Sequence, residues 1–157
     1  MDHVTGVGAA VAVTVRVPRE RMWELVTAVE RIGEWSPEAW GGAWCAGADG
    51  PVPGARFTAH NRFPNGLRTT VTCVVTEAER PRVFGWNVLD PTGDVGSAWR
   101  YELLPGEEPG TTLVRHTFTH GPGVTGARQS PGGLDGRLET LRRNMTATIT
   151  AMTGAHR

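Results

Sequence analysis

Leu134, Leu138, Leu141, Met145, Ile149 and Met152 recur at spacings of four, three, four, four and three residues, so the C-terminal segment reads as a long helix with one apolar stripe. Ser130 is its expected N-cap and Pro131 its first residue. Such a stripe has to cover something, and the preceding chain offers a sheet. Between residues 39 and 120, short β-type runs are separated by turn residues at Pro51 to Gly54, Asn65-Gly66, Arg80-Pro81, Asp90 to Gly96 and Pro105 to Gly110. About six consecutive antiparallel strands follow from that punctuation. Nearer the N-terminus, Val11, Val13, Val15 and Val17 alternate with Ala10, Ala12, Thr14 and Arg16, the period of a half-buried strand over 10–17. Pro18 then opens a short helix carrying Met22, Leu25, Val26 and Val29, and a second helical turn from Glu30 to Trp35 is stopped by Pro37.

This is an α+β order: a curved antiparallel sheet of seven strands wrapped around a long C-terminal helix, with two short helices after strand one. The later strands have clear faces. Phe84, Trp86 and Val88 share one, Ser97, Trp99, Tyr101 and Leu103 another, and Val114, His116 and Phe118 a third, all expected to point inward. Asn65-Gly66 predicts a two-residue turn, placing Asn61 opposite Thr70 and Ala59 opposite Thr72. In that register Phe57, Ala59 and Asn61 claim one interior face while Val71, Cys73 and Val75 claim the other, a conflict that a bulge would reconcile.

With 157 residues and no linker or repeat, the chain reads as a single domain over 1–157. Sixteen Arg balance sixteen acidic residues to a net charge of zero, with no run of one sign, which argues against a nucleic-acid partner. There is no Lys, so Schiff-base chemistry on a side-chain amine is excluded. The N-terminal stretch lacks a basic n-region, and its apolar run from Val7 is broken by Arg16 and Pro18. Cys45 and Cys73 stand outside any CxxC pair. A cytoplasmic location without membrane insertion is expected. Dinucleotide, nucleophile-elbow and P-loop motifs are absent.

The element order, together with Trp35-Ser36-Pro37-Glu38, Pro53-Gly54-Ala55-Arg56-Phe57, Asn61-Arg62 and Ala98-Trp99-Arg100-Tyr101, resembles the helix-grip (START-like, SRPBCC) superfamily. That group includes START lipid-transfer domains, pollen-allergen-like proteins and bacterial members labelled polyketide cyclase/dehydrase. The Trp-Ser-Pro-Glu segment looks like an actinobacterial branch. The resemblance covers nearly the whole chain. It implies a deep cavity between sheet and helix for a hydrophobic or aromatic small molecule, with no metal and no organic cofactor; the Cys and His pattern of a Rieske cluster is missing.

His116 and His120, four apart on a strand, would lie roughly 13 Å from each other and cannot share a metal ion. His116 is the candidate acid or base, or else a hydrogen-bonded core histidine. Tyr101, the one tyrosine, is a candidate donor to a ligand carbonyl or a packing residue, and Asn61, in the register above, a second donor or equally a polar residue near a turn. Trp40, Trp86 and Trp99 are expected to line the cavity as a rigid aromatic wall, joined by Phe57, Thr72, Phe118, Leu141 and Met145, whereas Trp23 and Trp35 read as core. Glu38 reads as a solvated carboxylate at the cavity mouth in preference to a gate or base. The glycine-rich segment from Gly121 to Gly133 fits a flap or a plain loop.

Two functions follow. One is a cofactor-free polyketide cyclase or dehydratase in which His116, Tyr101 and Asn61 manage proton transfers. The other is a non-catalytic carrier or sensor of a hydrophobic metabolite. A protein-interaction module with a vestigial cavity is the third and weaker reading, and a homodimer is an allowed assembly.

Overall fold

The computed structural model describes residues 6–48, 50–63, 65–123 and 133–156. Strand β1 (Gly8–Val15) leads into helix α1 (Arg19–Val26) and a 3₁₀ segment (Val29–Glu34). Six strands follow: β2 (Ala39–Trp44), β3 (Arg56–Arg62), β4 (Arg68–Glu79), β5 (Val83–Leu89), β6 (Val95–Pro105) and β7 (Thr112–His120), and helix α2 (Gly133–His156) ends the fold. The sheet is antiparallel throughout, in the order β1-β7-β6-β5-β4-β3-β2. The expected α+β architecture of seven strands and a long C-terminal helix is therefore present. Register shifts at Ala39/Gly41, Val75/Glu77 and Val88/Leu89 mark bulges, the devices that bend a sheet into a grip.

Element ends lie within a residue or two of the local signals, except that α1 stops at Val26 and Val29, expected on that helix, opens the 3₁₀ segment. Pro18, expected as the first helical residue, is the N-cap instead, with φ −65° and ψ 152°, because its extended ψ delays the helix to Arg19. The second helical turn is 3₁₀ in type. The predicted N-cap Ser130, Pro131 and residues 124–132 of the glycine-rich segment lie outside the described residues.

The β3–β4 hairpin corrects the expected register. A two-residue turn needs positive φ at both Asn65 and Gly66, yet among the described residues none other than glycine has positive φ, and Gly66 alone adopts +86° there. Phe63 N–H donates to the Leu67 carbonyl at 2.9 Å, and Gly66 N–H to the Phe63 carbonyl at 2.9 Å, so the loop is one residue wider. Asn65 serves instead as an acceptor, its Oδ1 receiving the Leu67 N–H at 3.0 Å. Asn61 consequently faces Thr69, not Thr70, and Ala59 faces Val71, not Thr72. This shift puts Phe57, Ala59, Asn61, Val71 and Cys73 on one face, and the apparent conflict disappears without any bulge between these two strands.

One continuous core fills the lower half of the grip. Trp23 (4% exposed) and Trp35 (7%) belong to it, with Met22, Leu25, Phe84, Leu103, Val114, Ile149 and Met152. Leu138, Leu141 and Met145 of α2 pack with Ala9 and Phe118 in a second cluster, so the helical stripe covers the sheet as its spacing requires. The β2 edge is set against the 3₁₀ segment by Gly33, where a Cβ would lie 2.2 Å from the Trp40 carbonyl oxygen. Gly33→Ala is expected to push these backbones apart and cost about 1–3 kcal/mol, readable as a lowered midpoint in thermal unfolding. An unchanged midpoint would mean the two segments are not in register-defining contact.

Candidate functional site

Above that core, the concave sheet face, the 3₁₀ segment and α2 surround a cavity of about 720 Å³. Its walls follow from strand alternation, since inward residues on β5, β6 and β7 meet side by side: Trp86 opposite Trp99, Trp99 opposite Phe118, and Tyr101 opposite His116. Trp86 is the hub. Its ring lies 5.3 Å from Phe84, 6.1 Å from Phe57 and 6.0 Å from Tyr101, and it runs parallel to Trp99 at 6.2 Å with 5° between planes. The Trp99 indole N–H donates to Ser97 Oγ at 3.0 Å, which fixes the ring within the wall.

Of the residues singled out from sequence, His116, Tyr101, Asn61, Phe57, Thr72, Trp86, Trp99, Phe118, Leu141 and Met145 are brought together around this cavity. Trp40 is not. It is 52% exposed and stacked on His60 at 4.9 Å, because the register shift between Ala39 and Gly41 falls on it and turns its side chain out of the wall. Cys73 is buried in the core, and burial first, then the neighbouring Cys45, pushes its thiol up to about 12, which leaves it inert.

His116 is 5% exposed and stacked on Tyr101 at 3.7 Å with 14° between planes. Both of its ring nitrogens are buried and lack a hydrogen-bond partner. Burial pushes its pKa down to about 3, so the imidazole is neutral at physiological pH. Burial likewise raises the Tyr101 phenol above its ordinary range. The wall therefore consists of neutral rings, with both histidine nitrogens buried within it.

A polar pole stands at the end of the cavity nearest the β3–β4 hairpin. Glu38, expected to be solvated, has a side chain only 14% exposed and receives both terminal nitrogens of Arg137, Nη2 to Oε1 at 2.6 Å and Nη1 to Oε2. Asn144 Nδ2 donates to the same Oε2 at 2.8 Å. Ser36 Oγ accepts the N–H groups of Glu38 at 3.2 Å and Ala39 at 2.9 Å, which steers Glu38 inward. The Arg137 guanidinium lies over the Phe63 ring at 5.1 Å. Arg137 and Asn144 are the functional residues that the sequence reading missed. Their signal was present: residues 137, 141, 144, 145 and 148 follow one helical face, so Arg137, Asn144 and Thr148 border the apolar stripe on its cavity side. Among the described residues no group of three or more His, Cys, Asp or Glu side chains could hold a metal ion.

Comparison with known proteins agrees with this geometry. The solved structure of the Polyketide_cyc-like protein Cgl2372 from Corynebacterium glutamicum is 27% identical, with a TM-score of 0.63 over 94% of this chain and 90% of that one. XoxI from Bacillus cereus, 14% identical, has a TM-score of 0.67 over 95% and 94% of the two chains. Ara h 8.0201, 12% identical, gives 0.67 over 95% and 96%. At the latter identities the likeness is one of fold. No curated protein matches the chain in sequence. No described helix is long and apolar enough to cross a membrane. The family profile described as "Polyketide cyclase / dehydrase and lipid transport" matches residues 7–154, nearly the full length, and the chain belongs to that family.

Proposed function

We propose that this protein binds a planar hydrophobic small molecule in the cavity and releases it unchanged, as a carrier or sensor. The observation that carries this reading is the aromatic wall centred on Trp86, enclosing about 720 Å³, within the roughly 300–1,000 Å³ common for small-molecule sites. His116 supports holding over chemistry. A proton shuttle needs a nitrogen within reach of the substrate and a pKa near the working pH, and here both nitrogens are buried in the wall while the pKa sits at about 3. The second reading, a cofactor-free cyclase or dehydratase, draws on the family's description and on Tyr101, Asn61 and the carboxylate of Glu38 at the cavity.

Titration with 1-aminoanthracene, a neutral three-ring fluorophore, tests the binding reading. One equivalent should bind saturably with a micromolar Kd, on the order of −8 kcal/mol. Affinity should stay level from pH 5 to 9, since the His116 imidazole and the Tyr101 phenol in the wall stay neutral across that range, and mass spectrometry should recover the compound with its mass unchanged. Trp86→Ala should weaken binding about tenfold by removing the stacking hub. Failure to saturate at the solubility limit of the fluorophore would overturn the proposal. Affinity for the neutral fluorophore that follows the titration of a group near neutrality would shift weight to the acid-base reading.

A further inference from the structure

The cavity is apolar along most of its length and polar at one end, so its ligand is bound in one orientation. We infer that Arg137 and Asn144 form a headgroup subsite that takes an uncharged oxygen acceptor, such as a ketone or amide carbonyl, on an otherwise apolar aromatic molecule. This rests on the binding function proposed above.

Hydrogen-bonding inventory carries the argument. A guanidinium has five N–H donors and no acceptor, and a carboxylate has about four acceptor positions and no donor. Glu38 already receives three bonds, from both terminal nitrogens of Arg137 and from Asn144, so its capacity is nearly used. Arg137 donates one bond from each terminal nitrogen to Glu38, which leaves a second N–H on each, so its donors are in surplus. Asn144 commits one amide N–H to Glu38 and keeps the other. A surplus of donors at a buried site calls for an acceptor from the ligand.

Charge then selects the kind of acceptor. Arg137, 7% exposed, is neutralised by the bidentate contact with Glu38, so no net positive charge is left to hold an anion. A ligand carboxylate would stand beside Glu38 in a water-poor site, where like charges repel strongly. A neutral carbonyl meets the donors without that repulsion.

Three naphthalene fluorophores of matched shape test this: 6-propionyl-2-dimethylaminonaphthalene, its 6-propyl analogue without the carbonyl, and 6-dimethylamino-2-naphthoate. Each is titrated into the wild-type protein and into Glu38→Gln/Arg137→Met, which keeps the shape of the pair and removes its charges; Asn144→Leu takes its place if that variant does not fold by circular dichroism. The ketone should bind the variant about tenfold more weakly, the size of one charge-assisted hydrogen bond, while the propyl analogue changes less than about twofold. Emission of the bound ketone should also move to shorter wavelength in the variant as its hydrogen bond is lost. Equal loss for ketone and propyl compounds, or no loss for either, would overturn the subsite while leaving binding in the cavity intact. Tighter binding of the naphthoate than of the ketone would overturn the preference for an uncharged head. If none of the three binds the wild-type protein, the binding function itself fails and this subsite with it.

Discussion

Glu38→Ala should destabilise the protein by about 3–5 kcal/mol, because it strands the Arg137 guanidinium, 7% exposed, without its counter-charge. For a domain of this size that corresponds to a fall of roughly 6–20 °C in Tm. The loss measures the cost of an uncompensated buried cation more than any net worth of the ion pair. Glu38→Gln/Arg137→Met, which removes both charges, should therefore sit within about 1 kcal/mol of wild type. Urea unfolding of the three proteins compares the stranded cation with the loss of both charges. If Glu38→Ala costs less than about 1 kcal/mol, Arg137 escapes to water when released, and the pair is a surface contact.

His116→Phe should change how stability responds to acid. In the folded protein the imidazole is held down to about 3 by burial among Tyr101, Trp86 and Trp99, none of them charged, whereas in the unfolded chain it titrates near 6.5. Above pH 6.5 both states are neutral there and nothing is lost. As the pH falls below that value the unfolded chain takes up the proton and the folded one does not, so stability declines until about pH 3. The wild type should lose about 3 kcal/mol more than His116→Phe between pH 7 and pH 4. At pH 7 the variant should already be the more stable by about 1–3 kcal/mol, since a phenyl ring can keep the stack on Tyr101 and brings no orphaned nitrogens. Parallel stability curves for the two proteins from pH 7 to pH 4 would show that the folded protein accepts the proton readily and that His116 is hydrated.

The parts of the molecule that were legible in the sequence are those governed by local periodicity. Val11 to Val17, Trp99 to Leu103 and the stripe from Leu134 to Met152 each repeat at the period of their element, and the order of elements and the packing of the helix on the sheet followed. What escaped depends on single residues that break a period or on distance along the chain. One extra loop residue shifted the β3–β4 register, and one bulge turned Trp40 outward. Glu38 read as solvated because its partners, Arg137 and Asn144, lie 99 and 106 residues away, and nothing near residue 38 announces them. The aromatic wall was legible by alternation, but the burial of both His116 nitrogens was a matter of packing.

The pairing of β1 with β7 has a consequence in time. Gly8–Val15 leaves a ribosome long before its partner Thr112–His120, with Ala9 waiting for Phe118 and Val13 for Val114. Every other ladder in the sheet joins strands that are neighbours in sequence, so five hairpins can form early from short loops. Among the strand pairings only that of β1 with β7 is long-range. Until it occurs, the valine-rich first strand has no partner and resembles an exposed edge prone to the wrong pairing. The pairing that completes the sheet is then expected to be the slowest of the six ladders to form, and the one most exposed to aggregation.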